Sequence, residues 1–262
     1  MKVRFCFSAE QLKNIALVSM VIDHAAVGLI EQSELASGVA WSLCGTAMRL
    51  MGRVAFPLFA FMIAEGAVHT RDRRRYALRL LLLAVISEIP FDLVAGGTWL
   101  FPADQNTVFT LLLGLLAVWA GDLICGTGSG VSYGNREKTG DGGRKAVGQR
   151  RFPLEYERYI RVLAAVPFGL AAYYLKTDYG FMGVLLIVIL YTLRTEPRLR
   201  TAVCIVFLFC MYMDFYGAAA CVAIFLINRY NGEKGGGSGR IFYLFYPLHL
   251  LVIRGIKMAV GL

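Results

Sequence analysis

Residues 107–125 of the chain read TVFTLLLGLLAVWAGDLIC, a run of 19 residues in which Asp122 is the one charged side chain. Its apolar residues follow one another without the every-second-residue alternation that strands of a membrane barrel show, so the run predicts an α-helix. At about 1.5 Å per residue, such a helix approaches the roughly 30 Å thickness of the hydrocarbon core of a bilayer. We therefore expect residues 107–125 to span a membrane.

Eight further apolar runs lie on either side of this one. They cover residues 12–30, 44–68, 76–94, 160–175, 179–193, 199–214, 216–228 and 241–260. The sequence thus predicts an all-α polytopic integral membrane protein with about nine transmembrane helices. Because several runs are shorter than the roughly 20 residues of a full crossing, a count of eight or ten stays open. We expect one domain over residues 1–262, with flexible cytoplasmic loops at the glycine-rich stretches 126–158 and 229–240.

The composition agrees with a membrane protein. Of the 262 residues, 57% are hydrophobic and 17% are charged, whereas a soluble domain averages about 45–50% and about 25%. These proportions exclude a secreted disulfide scaffold, a disordered regulator and a coiled coil. The six cysteines stand singly, without a CxxC pair or a histidine at metal-ligand spacing. We therefore expect neither a metal site nor a redox role.

The distribution of basic residues predicts the orientation of the chain. There are 27 lysines and arginines against 18 acidic residues, a formal charge of +9. Most of them lie in alternate connections, within residues 2–13, 71–79, 136–161, 194–200 and 229–240. The positive-inside rule then places the N-terminus in the cytoplasm and predicts a multi-pass protein in contact with membrane lipid. Because the charge is spread over five connections rather than one groove, we expect no nucleic-acid partner.

Ionisable groups inside the predicted spans are candidate functional residues, since a charge is costly in hydrocarbon. His24 is the sharpest of them, because it follows Lys13 by eleven residues, just over three helical turns. Both side chains therefore project from nearly the same face, with a rise of about 16 Å between them. A surface cation and a half-buried imidazole on one stripe suit a ligand with an anionic head and a thin reactive tail, such as acyl-coenzyme A. Alternatively, the ionisable groups inside the predicted spans pair with one another and hold helices together.

Two groups of arginines also require anionic partners. Arg49 and Arg53 stand four residues apart, on one face of a helix. Asp23, Glu88 or a substrate carboxylate or thioester oxygen could supply the negative charge. A second group at residues 71–75 follows the second apolar run. Such a cluster serves topology, contacts lipid phosphates, or docks the phosphates of a nucleotide.

The chain resembles the TraX family, whose founding member is the F-pilin N-terminal acetylase. The matching stretches are LK (12–13), IDH (22–24), GRVAFPLFAF (52–61), EG (65–66), RL (79–80), ISEIPFD (86–92), NTVFTL (106–111), DYG (178–180) and YPLHL (246–250). They follow one another in the same order over nearly the whole chain. The spacing from Lys13 to His24 and the pair Arg71 and Arg74 are also similar, more distantly, to patterns of the acyltransferase-three membrane acyltransferases.

This resemblance implies an acetyltransferase that takes its acetyl group from acetyl-coenzyme A (acetyl-CoA), without a metal. We expect catalytic roles for His24 as the base, with Asp23 and Arg53. Donor-binding roles are expected for Lys13, Arg49, Arg71 and Arg74, and substrate or supporting roles for Glu65, Glu88 and His249. The expected acceptor is the amino terminus of a pilin-like protein or an envelope glycan.

Two other functions stay open on the sequence. A transporter or flippase for an anionic solute would use Arg49, Arg53 and His249 to line a path. A membrane scaffold for a conjugation or envelope apparatus would leave the stripe from Lys13 to His24 without a role.

Overall fold

The structure, a computed structural model, describes residues 6–33, 37–127, 152–236 and 239–261. Its helices are α1 (Ala9–Ala25), continued by a π-helical turn (Ala26–Glu31), α2 (Val39–Gly52), α3 (Ala55–His69), α4 (Arg73–Ala95), α5 (Thr107–Cys125), α6 (Leu154–Tyr174), α7 (Gly180–Thr192), α8 (Pro197–Tyr212), α9 (Phe215–Ile227) and α10 (Gly239–Val260). Within the described ranges, strand pairing is limited to two isolated bridges. The predicted all-α class is therefore confirmed for this part of the chain.

The nine apolar runs are all helical, with one difference from the prediction. The run at residues 44–68 divides into α2 and α3 between Gly52 and Ala55. Within the described ranges, four helical stretches are long and apolar enough to cross a membrane by length and composition: residues 9–31, 39–69, 107–125 and 243–260. The apolar helices α7 and α9 are shorter. The number of crossings and the cytoplasmic N-terminus stay predictions.

Helix α3 lies at the centre of the bundle, in contact with α1, α5, α7 and α9. Its side chains Phe56, Leu58 and Phe61 are almost completely buried. The sequence AFPLFAFMIA at residues 55–64 makes α3 apolar all round its circumference. Such a helix is stable only when neighbouring helices or lipid surround it. The position of α3 between α1 and α5 brings the candidate residues of three helices around one space.

The structure describes the two predicted flexible loops to different extents. Most of the loop at 126–158 lies outside the described residues, and its last residues already belong to α6. The described part of the loop at 229–240 is held against the start of α1. The backbone N–H of Phe7 donates to the carbonyl of Arg229 (2.8 Å), and that of Ala9 donates to the carbonyl of Glu233 (2.8 Å).

Gly52, the last residue of α2, lies close to Asp23 of α1. A β-carbon at Gly52 would overlap the side chain of Asp23. We therefore expect G52A to destabilise the protein by about 1–3 kcal/mol, because Asp23 or α2 would have to shift. The melting temperature of the detergent-purified protein measures this change.

G255A is the matched control for G52A. Gly255 also lies in a helix, but a β-carbon there meets no atom within 4 Å, and alanine favours a helix over glycine. We expect G255A to melt at or above the temperature of the unmodified protein. Equal melting temperatures for G52A and the unmodified protein would contradict the close approach of Asp23 to α2.

Candidate functional site

A cavity of about 1130 Å³ lies among α1, α3, α4, α5 and α10. One face of α1 lines it, with Ala9, Lys13, Leu17, Met20 and His24 in order along the helix. Steps of three and four residues keep these side chains on one side of the helix. The structure therefore places Lys13 and His24 on the same cavity, about 16 Å apart along the helix axis.

One end of the cavity, which we call the basic end, is lined by the ionisable side chains Lys13, Glu65, His69, Arg79 and Lys234. Several contacts bring them together from distant parts of the chain. The backbone N–H of Glu10 donates to the carbonyl of Lys234 (3.2 Å), which places residue 234 beside the start of α1. On α3, His69 Nε2 lies 3.4 Å from Glu65 Oε2. The basic end thus combines three lysine and arginine side chains with one carboxylate.

The middle of the cavity is apolar. Leu17, Met20, Phe59, Met62, Ile63, Leu83 and Leu111 line it between the two ends. These side chains offer no hydrogen-bond partners, so this part of the cavity favours a thin, weakly polar portion of a ligand.

At the opposite end, which we call the imidazole end, the cavity is lined by Asp23, His24, Thr107, Asp178, Tyr179 and Tyr246. His24 Nδ1 lies 2.7 Å from His249 Nε2. The two ring planes are within 10° of parallel and their centroids are 5.0 Å apart. Because the nitrogens are much closer than the centroids, the rings meet edge to edge, as a hydrogen bond requires. His249 Nδ1 in turn lies 3.0 Å from the backbone oxygen of Phe245.

A second polar group at the imidazole end is built from two connections. The backbone N–H of Asp178 donates to the carbonyl of Gln105 (2.9 Å), which fixes the α6–α7 connection beside the start of α5. The hydroxyl of Thr107 then donates to Asp178 Oδ2 (2.5 Å). Burial raises the pKa of the Asp178 carboxyl, while the hydrogen bond from Thr107 acts in the opposite direction. The ring of Tyr179 stacks on Phe56, with 3.7 Å between the centroids.

Arg49 and Arg53, which the sequence assigned to the donor and to catalysis, do not line the cavity. Arg49 binds Asp23 instead, with 2.5 Å between Nη1 and Oδ2, and its Nε lies 3.3 Å from Glu31 Oε1. Arg53 Nη2 is 4.0 Å from Asp23 Oδ1, and its guanidinium lies over the rings of Tyr212 and Tyr216. The anionic partner that the sequence predicts for the two arginines is therefore Asp23. Asp23 lines the cavity, whereas neither arginine does.

Three other candidates also lie away from the cavity. Arg71 and Arg74 are exposed at the start of α4, and neither lines the cavity. Glu88 accepts the backbone N–H of Asn106 at Oε2 (3.2 Å) and also binds the Asn106 amide. Since Asn106 caps the first turn of α5, Glu88 supports a helix end and has no place at the cavity. Glu65, in contrast, lies at the basic end of the cavity. His249 does not line the cavity but contacts His24, which does.

The sequence did not identify several residues of the cavity. Lys234 was counted only as a topological charge, and Arg79 stood in the quoted motif RL without an assigned role, yet both line the basic end. Asp178, Thr107 and Tyr246 stood in the quoted motifs DYG, NTVFTL and YPLHL without an assigned role. Their presence in those motifs was the one available signal, since their mutual proximity depends on contacts between distant connections.

The fold and the site together define an all-helical protein with candidate membrane spans and a large internal cavity that leads from a cationic end to an imidazole pair. The family model described as TraX protein matches residues 8–127 and 151–257. The chain therefore belongs to the TraX family, as its motifs predicted. The distant similarity to acyltransferase-three proteins stays a prediction.

The chain also has a curated relative. The chain described here is 25% identical over 276 residues to the probable fimbrial assembly protein FimC of serogroup H1 from Dichelobacter nodosus. The match covers 96% of both chains. No solved structure matches the chain significantly.

Proposed function

We propose that this protein is an integral membrane acetyltransferase of the bacterial inner membrane, with acetyl-CoA as its donor. The observation that carries the proposal is the single cavity that joins Lys13, Arg79 and Lys234 at one end to His24 at the other. Its volume of about 1130 Å³ slightly exceeds the roughly 300–1,000 Å³ of ordinary ligand pockets. A donor as large as acetyl-CoA fits that size.

The chemistry of the lining matches the parts of this donor. Phosphate groups bind the lysine and arginine side chains of the basic end. The thin pantetheine arm lies along the apolar middle of the cavity. The thioester then reaches the imidazole end, beside His24. This order follows from the distribution of charge, because the lysine and arginine side chains that line the cavity all lie at the basic end.

The reaction requires a base that accepts one proton and returns it. The hydroxyl or amine of the acceptor attacks the thioester carbonyl carbon while its proton passes to Nε2 of His24. The carbon–sulfur bond then breaks, and the coenzyme A thiolate takes the proton from the imidazolium. His24 is thereby regenerated, and the acetyl group has moved without a metal or redox partner.

The acceptor we propose is the amino terminus of a pilin-like protein or an envelope glycan. The relative named as a probable fimbrial assembly protein supports the first of these, since the match extends over almost the whole of both chains. A role in pilus assembly is consistent with a modified pilin subunit as the product.

Binding of acetyl-CoA to the detergent-purified protein tests this proposal. We expect R79A and K234A each to weaken binding by roughly tenfold or more, because each removes a charge-assisted contact to phosphate. The loss should shrink as the salt concentration rises. Isothermal titration at two salt concentrations measures both effects.

The double variant R71A/R74A is the control, because it removes two positive charges from the neighbouring surface, more than either single variant removes. We expect it to bind acetyl-CoA as the unmodified protein does. The opposite pattern, with weaker binding only in R71A/R74A, would restore the assignment made from the sequence. Absence of saturable acetyl-CoA binding to the unmodified protein would contradict acetyl-CoA as the donor.

The transporter alternative assigned Arg49, Arg53 and His249 to a path. None of the three lines the cavity, so the structure offers that function no support. Uptake of an anionic solute by proteoliposomes, without acetyl transfer, would nevertheless favour it over the acetyltransferase.

A further inference from the structure

We infer that His249 is a positioning residue that fixes the tautomer of His24, so that Nε2 of His24 is the basic nitrogen presented to the cavity. This inference rests on the proposed function in so far as it gives that nitrogen a role. The arrangement of hydrogen bonds itself is independent of any reaction.

The argument starts at a group that can only accept. The backbone oxygen of Phe245 lies 3.0 Å from His249 Nδ1, and a carbonyl oxygen has no proton to donate. His249 Nδ1 must therefore carry a proton. A neutral imidazole has one N–H and one lone pair, so His249 Nε2 is left as an acceptor.

The hydrogen bond between the two histidines then determines which nitrogen of His24 carries the proton. His249 Nε2 lies 2.7 Å from His24 Nδ1. Because His249 Nε2 accepts, His24 Nδ1 must be the donor. The remaining nitrogen of His24, Nε2, then has a free lone pair. It forms no hydrogen bond to any residue that the structure describes, and the ring lines the cavity.

Burial and charge favour two neutral rings. His249 is 7% exposed, and no carboxylate of the described residues forms an ion pair with either ring. Asp23, the neighbour of His24 in the chain, is bound to Arg49. Two adjacent imidazolium ions without a counter-ion would repel each other in this setting. The order from the Phe245 oxygen through His249 to His24 is thus the arrangement that satisfies both nitrogens of His249 and Nδ1 of His24.

The arrangement also serves the proposed proton transfer. When Nε2 of His24 takes a proton, the imidazolium keeps its Nδ1–H bond to a neutral acceptor. Removal of His249 would leave His24 free to carry its proton on either nitrogen. The fraction with a basic Nε2 would fall, and the imidazolium would lose its hydrogen-bond acceptor.

Nitrogen-15 NMR of the histidine-labelled protein tests the inference directly, because protonated and unprotonated ring nitrogens have well-separated shifts. The chain has three histidines, and the variants H24Q, H69Q and H249F assign their signals. In the unmodified protein we expect a proton on Nδ1 and none on Nε2 of His24. In H249F we expect a mixture of tautomers or the reverse one.

Acetyl transfer gives a second readout. We expect H249F to lower turnover by roughly 100-fold, the upper range for a lost supporting hydrogen bond to a functional histidine, with the affinity for acetyl-CoA unchanged. H249Q should recover turnover to within about tenfold of the unmodified protein, because its amide offers both an acceptor and a donor. A residue that only fills space would be replaced as well by phenylalanine as by glutamine.

The outcomes separate this inference from the proposed function. A proton on Nε2 of His24 in the unmodified protein, or an unchanged tautomer in H249F, overturns the inference whatever the activity. The first of these needs only H24Q, which identifies the His24 signals, so a failure of H249F to fold does not prevent the test. The expected tautomers in a protein that transfers no acetyl group would support the hydrogen-bond order and overturn the acetyltransferase instead.

Discussion

Replacing His24 with glutamine is expected to lower acetyl transfer by roughly 10²–10⁴-fold, the usual contribution of a general base. Glutamine keeps a polar side chain of similar length but cannot accept and return a proton near neutral pH. Inverted membrane vesicles that contain the protein, supplied with radiolabelled acetyl-CoA, measure the transfer as label in the membrane fraction. The binding of acetyl-CoA to purified H24Q should stay within a few-fold of the unmodified protein.

The control for H24Q is a change on the same helix that faces away from the cavity. Asn14 is exposed and does not line the cavity, so N14A should transfer at the rate of the unmodified protein. Equal transfer by H24Q and N14A would show that His24 is not the base. Loss of acetyl-CoA binding in H24Q would instead assign His24 to the donor site.

The second large effect is expected at Asp122, far from the imidazole end. Asp122 is 1% exposed and binds side chains of three other helices. Arg73 Nη2 lies 2.8 Å from its Oδ2, Arg161 binds its Oδ1, and the hydroxyl of Tyr191 lies 3.0 Å from both oxygens. One carboxylate thus holds α4, α6 and α7 to α5.

We expect D122N to destabilise the protein by about 3–5 kcal/mol, because it removes the buried counter-charge of Arg73 and leaves Arg161 only the more distant Glu157, at 4.0 Å. The loss should appear as a large decrease in melting temperature and in the yield of monodisperse protein. The cost arises from the unpaired charge, so it exceeds the value of one hydrogen bond.

D72N provides a matched control for D122N. Asp72 pairs with Arg75 (3.0 Å) but is half exposed, and an exposed pair contributes about 0–1 kcal/mol. Asparagine also caps a helix as well as aspartate does, so the cap of α4 is kept. If D122N melted like D72N, the buried network would have no structural role.

The extent of the helices could be read from the sequence because each apolar run is a local property. The run at 107–125 became α5 with the same bounds. The face of α1 that carries Lys13 and His24 followed from the helical period alone. The helical period shows neither where an apolar run divides into two helices nor that Gly52 lies against Asp23 of another helix.

The residues around the stripe could not be placed in the same way. His249 is 225 positions from His24, and Asp178 reaches Thr107 only because two connections pair. Arg71 and Arg74 were expected at the donor because they resemble a pattern of the acyltransferase-three proteins, although Arg79 and Lys234 line the cavity and they do not. Hydropathy gives the length of each helix but neither its rotation about its axis nor its neighbours.

The sequence by itself therefore determined the all-helical class, the helix positions and the single face of α1, since these depend on interactions within a few turns. Only the tertiary structure decided that Asp23 neutralises Arg49, that Asp122 joins four helices, and that two histidines share one hydrogen bond. Each of these depends on the packing of side chains between helices, which many sequences with the same apolar pattern would arrange differently.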